Sequence, residues 1–153
     1  MLLYHASKEK VEIPEIRITK FTKDFSWGFY CTNNIEQAIR WANRGLGEPI
    51  VNFYEYIPNK NLKILKFEKM TNEWLDFIAY CRSGKKHDYD IVEGPMANDT
   101  VWNYVNDFIS GNIDREQFWV LARFKYPTHQ ISFHNDLALK CLSFQKYEVI
   151  YDQ

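Results

Sequence analysis

The chain has 153 residues, 46% of them hydrophobic and 17% aromatic, which suits one folded domain over residues 1–153 and excludes a disordered chain. Its 19 basic and 20 acidic residues exclude long-range steering toward nucleic acid or an anionic membrane. Three scattered cysteines, Cys31, Cys81 and Cys141, form no CxxC pair and exclude a disulfide framework.

Leu2, Leu3 and Tyr4 read as a first strand that His5 ends, followed by the small residues Ala6 and Ser7. Val11 to Asp24 is polar and mixed, a loop. Trp27 to Thr32 is an aromatic-rich strand. A helix follows, with Asn33 as cap, Glu36 three residues on, and Ile35, Ala38, Ile39 and Ala42 as one apolar face that stops at Gly45. Ile50 to Ile57 reads as a strand, and Leu62 to Phe67 alternates with period two as another. Thr71 starts a second helix with Trp74, Phe77, Ile78 and Cys81 inward. The segment RSGKKHDYD is a solvated loop, and DIVEGP is a strand broken at Gly94-Pro95.

Asn98 or Asp99 caps a third helix, with Val101, Val105, Phe108 and Ile109 inward. Asp114 caps a fourth, with Gln117 at the capping-box position and Phe118, Leu121 and Ala122 inward. The turn YPTH leads into the strand Gln130 to His134. A helical turn carrying Ala138, Cys141 and Leu142 follows, then a last strand within Tyr147 to Tyr151. Strands and helices mix without regular βαβ alternation, so the expected class is α+β. The N-terminal MLLYHASKEK lacks the apolar core of a signal peptide and no run reaches transmembrane length, so a cytoplasmic protein with no membrane partner is expected.

No GxSxG, HExxH, P-loop or GxGxxG signature is present. Of four histidines only His129 and His134 are close in sequence, too few for a metal site, so none is expected. What remains is three polar strand positions: His5, Tyr30 and Gln130. Taken singly they read as a surface histidine, a core aromatic and the solvated face of an edge strand. In the last of these, Gln130, Ser132 and His134 share one face and Ile131 and Phe133 the other.

Taken together they carry a resemblance. YHAS, then GFYCTNN with EQAIRWA, then HQISFHNDLALKCL resemble in order and spacing the three motifs of the ADP-ribosyltransferase superfamily, in its diphtheria-toxin-like, PARP-like branch. Nearly the full length, through DFSWGFYCT, HDYDIVEGPMAND and YPTHQISFH, resembles a bacterial family of unknown function (domain of unknown function 3990) placed in that superfamily. The resemblance implies split antiparallel β-sheets with flanking helices around a central NAD cleft. It implies transfer of ADP-ribose from NAD, as substrate, to a protein or nucleic-acid acceptor. By size it also resembles bacterial toxins that pair with an antitoxin protein or serve as defence effectors.

The roles it implies are these. His5 binds the adenosine-side ribose, and the backbone of Ala6, with Ser7 beside it, meets the nicotinamide carboxamide. Tyr30, after Gly28, packs on the nicotinamide ring, and Trp41 lies near the place of a second stacking aromatic. Gln130 falls where the family has a glutamate that binds the nicotinamide-ribose hydroxyl. A glutamine keeps that hydrogen bond but loses the charge that steadies an oxocarbenium-like transition state. The charge is worth about 4 kcal/mol at ~4 Å and an effective dielectric near ~20. Three readings follow: a transferase slow at hydrolysing NAD, a carboxylate supplied by Glu93 or Asp99, or a non-catalytic module that binds NAD and acts through a partner. An RNA 2′-phosphotransferase-like enzyme is a further alternative, with Arg17, Arg40 and Arg44 its candidate phosphate ligands.

Overall fold

A computed structural model describes residues 1–20, 22–97, 99–122 and 128–151, with Asp99 and Thr100 described by their backbone alone. Asn98 as a helix cap, the Asp99 side chain as a charge donor, and the turn at Tyr126 and Pro127 lie outside the described residues. Among those residues the structure is mixed α/β, with two sheets and five helices. In chain order these are β1 (Leu2–Ser7), β2 (Phe29–Cys31), α1 (Ile35–Ala42), β3 (Ile50–Tyr56), β4 (Ile64–Lys66) and α2 (Asn72–Arg82). There follow β5 (Ile91–Gly94), α3 (Asp99–Ile109), α4 (Arg115–Leu121), β6 (Gln130–Phe133), α5 (Asp136–Leu139) and β7 (Leu142–Val149). None of these helices is long and apolar enough to cross a membrane.

One sheet has the order β1-β3-β7, all antiparallel; the other runs β2-β6-β5-β4, with β4 and β5 parallel. In β3, alternation sends Val51 and Phe53 to one face, where they pack on Ala38 and Ala42 of α1. Tyr54 and Tyr56 go to the other face and meet Phe29, Ile91, Ile131 and Phe133 of the second sheet. The opposite face of that second sheet carries Tyr30 and Val92 against Trp74, Leu75, Ile78, Val105 and Phe118 of the helices. The three cysteines are buried free thiols.

Several boundaries differ from the sequence expectation. The first strand runs on through Ser7, because His5, Ala6 and Ser7 all pair with β3. The last strand spans eight residues and begins at Leu142, where a helical turn is expected from the pattern; α5 has already ended at Leu139. The strand opened by Gln130 is no edge. It lies between β2 and β5, and both of its faces are covered, with Ile131 and Phe133 packed on the other sheet and Gln130 and Ser132 buried on the opposite side.

The cap of α1 is Asn34 and not Asn33: Asn34 Oδ1 accepts from Gln37 N (3.1 Å). The helix stops at Ala42, short of Gly45, where Asn43 turns its backbone and side-chain N–H groups back onto Ile39 O. Asp114 and Gln117 form the expected capping box of α4. Ile109 and Leu121, expected inward, are exposed, and each is the last residue of its helix.

Candidate functional site

Among the described residues one backbone bridge joins the two sheets. Tyr4 and Thr32 exchange both backbone hydrogen bonds, Tyr4 N to Thr32 O (2.8 Å) and Thr32 N to Tyr4 O (2.9 Å). Beyond this bridge β1 and β2 no longer pair, and a cleft opens between them. It has two compartments, of about 580 Å3 and about 460 Å3, which share His5, Ala6, Ser7, Lys23 and Tyr30.

His5 fills the place that strand pairing vacates. Its Nδ1–H donates to Tyr30 O (2.6 Å), and its ring stacks on Phe29 with centroids 4.1 Å apart. Burial pushes its pKa down to about 4 against that hydrogen bond, so the ring is neutral at physiological pH. With Nδ1 donating, Nε2 is left as an acceptor at the junction of the compartments.

Tyr30 is at once core and cleft wall. Its hydroxyl donates to Ser26 O (2.6 Å) and accepts from Phe25 N (2.9 Å), which holds the 23–26 turn, where Ser26 has a left-handed φ of 76°. The phenol is thus committed to the chain, and burial raises its pKa. The ring stays at the wall of both compartments, with Lys23 Nζ 5.0 Å from its centroid. Gly28 lines the larger compartment, but its lack of a side chain serves the protein: a Cβ there would lie 2.8 Å from His134 Nδ1 and 2.9 Å from Phe133 O. The neutral His134 ring uses that space to donate from Nδ1 to Trp27 O (2.8 Å) and to accept at Nε2 from Ser132 Oγ (2.7 Å).

Gln130, Trp41 and Met96 line the smaller compartment together with Lys8, Lys23 and Arg44, and among the described residues no carboxylate lines it. Lys8 also caps α1, donating from Nζ to Ala42 O (2.6 Å). Gln130 is 5% exposed, and its Nε2 donates to Asp24 Oδ2 (3.1 Å). Asp24 is itself buried; its carboxylate accepts from Ala97 N (2.8 Å) and pairs with the Arg82 guanidinium, which lies over the Trp102 ring at 4.0 Å. Asp24 and Lys23 have no signal in the sequence. They sit in an irregular polar segment with no periodicity and no motif.

Glu93 is on the wrong side of the sheet to serve as a carboxylate beside Gln130. In the β5–β6 register Glu93 stands opposite Ile131 and Gly94 opposite Gln130, so Glu93 and Gln130 point to opposite faces. Its carboxylate instead accepts from His129 Nε2 (2.7 Å), a bond that holds its pKa low. The tautomer follows from Asn33 N, which donates to His129 Nδ1 (3.0 Å) and leaves the proton on Nε2. Glu93 lines neither compartment.

Of the arginines, Arg17 is held by Glu9 and Glu15, and Arg40 is in the last turn of α1 outside the lining of both compartments. Arg44, the third candidate, lines the smaller one. Among the described residues no three His, Cys, Asp or Glu side chains are grouped to hold a metal.

Residues 1–144 match the model of a family described as "Protein of unknown function (DUF3990)". No curated protein and no solved structure matches the chain.

Proposed function

The chain belongs to that family, and from this premise we propose that it binds NAD in the cleft and transfers the ADP-ribose to a macromolecular acceptor. One observation carries the reading. His5, Ala6, Ser7, Tyr30, Trp41 and Gln130, distant in sequence, line one compartment of about 460 Å3. Lys8, Lys23 and Arg44 in its lining suit an anionic ligand, and Lys23, common to both compartments, suits the diphosphate that joins the two halves of a dinucleotide.

In the transfer, the bond between ribose C1′ and the nicotinamide nitrogen breaks, and nicotinamide leaves with the electron pair. The acceptor's nucleophile then bonds to C1′ and loses its proton. Tyr30 packs against the leaving ring, the Ala6 backbone orients its carboxamide, and Gln130 holds the ribose hydroxyl. A neutral amide forgoes about a thousandfold in rate that a carboxylate charge would supply, so the chemistry rests on positioning, and water is a poor acceptor.

A second reading is favoured by the same residue: the protein binds NAD without turning it over and acts through a partner. Glu93 points away, and Asp24 is already paired with Arg82. Incubation with NAD labelled in the adenylate half, plus cell lysate, separates the two readings. The transferase reading expects labelled macromolecules and nicotinamide release, both lost in His5→Ala and Tyr30→Ala. Release that survives either substitution would sink it. Binding with neither release nor label supports the second reading.

A further inference from the structure

The atoms around Gln130 explain why a glutamine stands where the resemblance expects a glutamate. Its Nε2 faces Asp24 Oδ2 at 3.1 Å and Pro95 O at 3.5 Å. A carboxylate paired with a guanidinium and a backbone carbonyl are both acceptors only, so the amide has a single orientation, with its NH2 inward. Among the described residues Oε1 accepts no hydrogen bond. No buried side-chain oxygen or nitrogen among them lacks a partner, so Oε1 is not buried; it is the atom presented to the smaller compartment. Asp24 cannot turn away, because Ala97 N holds Oδ2 at 2.8 Å and Arg82 holds Oδ1.

We infer that Asp24 is a positioning residue: it makes Gln130 a fixed hydrogen-bond acceptor in the cleft, matched to a hydroxyl donor of a sugar, and it is what excludes a glutamate from position 130. The identity of that hydroxyl rests on the NAD reading; the coupling of the two side chains does not. A glutamate at 130 sets a carboxylate against Asp24 and Pro95 O with no donor between them, and like charges so close force one to take up a proton. Changing Asp24 as well, Asp24→Asn with Gln130→Glu, removes the second carboxylate and so the like-charge contact, although Ala97 N and Arg82, both donors, then face an amide and full stability is not restored.

The test compares the full chain, Gln130→Glu and the double exchange by thermal unfolding at about pH 5 and about pH 8 without ligand, and by calorimetric titration with NAD. The carboxyl of Gln130→Glu has its folded pKa raised, so its stability is present at the lower pH and lost as the pH rises. Gln130→Glu therefore falls below the wild type mainly at the higher pH, where NAD also binds about tenfold more weakly. The double exchange removes that pH dependence. A Gln130→Glu deficit that is the same at both pH values overturns the inference. If Gln130→Glu does not fold at either pH, Gln130→Met, of similar size without charge, decides: a folded Gln130→Met supports the inference and an unfolded one overturns it. A pH-dependent deficit in a protein that binds no NAD upholds the coupling and sinks the NAD reading instead.

Discussion

At the scale of residues, Tyr30 divides its work between its two ends. Its hydroxyl closes the 23–26 turn through Ser26 O and Phe25 N, while its ring forms the cleft wall. Tyr30→Phe leaves that carbonyl and that N–H unpaired beside the core, at a cost of about 1–3 kcal/mol. The ring is unchanged, so NAD binding by the folded protein should stay within about threefold of the wild type, whereas Tyr30→Ala loses both. Denaturant unfolding and calorimetric titration read the two effects. A Tyr30→Phe protein of full stability would show that the turn is held by something else. Gly28 is an example at the same scale of a residue legible only in part. That a glycine precedes the aromatic pair is visible in the sequence; that it makes room for the His134 ring is not, because His134 arrives from a distant strand.

At the scale of elements, the helix after β2 has its periodicity written in Ile35, Ala38, Ile39 and Ala42, and that face packs on Val51 and Phe53 as the spacing expects. Its expected cap, Asn33, is one residue early: the cap is Asn34, a residue of the same type. A tertiary contact distinguishes the two: Asn33 N–H is taken by His129 Nδ1, and Gln37 grips the His129 backbone, donating from Nε2 to its O (2.6 Å) and accepting at Oε1 from its N (3.2 Å). Asn34→Ala should therefore cost about 1 kcal/mol, and Asn33→Ala, whose contact is made by the backbone, less than about 0.5 kcal/mol. Equal losses in denaturant melts would place the cap elsewhere. The β6 strand shows what pattern reading leaves out: QISFH alternates as a half-buried strand does, yet both faces are covered. A polar face can be buried when Asp24 meets Gln130 and His134 Nε2 meets Ser132.

At the scale of the whole molecule, burial of neutral histidines ties the fold to pH. His5 and His134 are both pushed down to about 4 by burial. Between the unfolded value of about 6.5 and that point the unfolded chain binds protons the folded chain refuses, so stability falls as the pH falls through this window. Each ring contributes at most about 3 kcal/mol across it. Glu93, whose pKa is lowered by His129, adds to the loss only further down, below the usual carboxyl range. Melting temperatures taken from about pH 7 to about pH 5 should decline, and His134→Gln should flatten the decline. A slope unchanged by that substitution would mean that His134 is already solvated in the native state.

Hydrophobic periodicity, capping chemistry and glycine placement are local properties of the chain, and they determined by themselves that strands and helices mix, where most of them lie, and which faces turn inward. The three polar strand positions were also visible, because each interrupts an apolar run. Convergence is different. That β1 and β2 part after a single bridge, that Glu93 faces away from Gln130, and that Asp24 and Arg82 close around its amide depend on which strands pair and in what register. Register is decided by contacts between residues far apart in the chain, and a one-residue change in it moves every side chain to the opposite face.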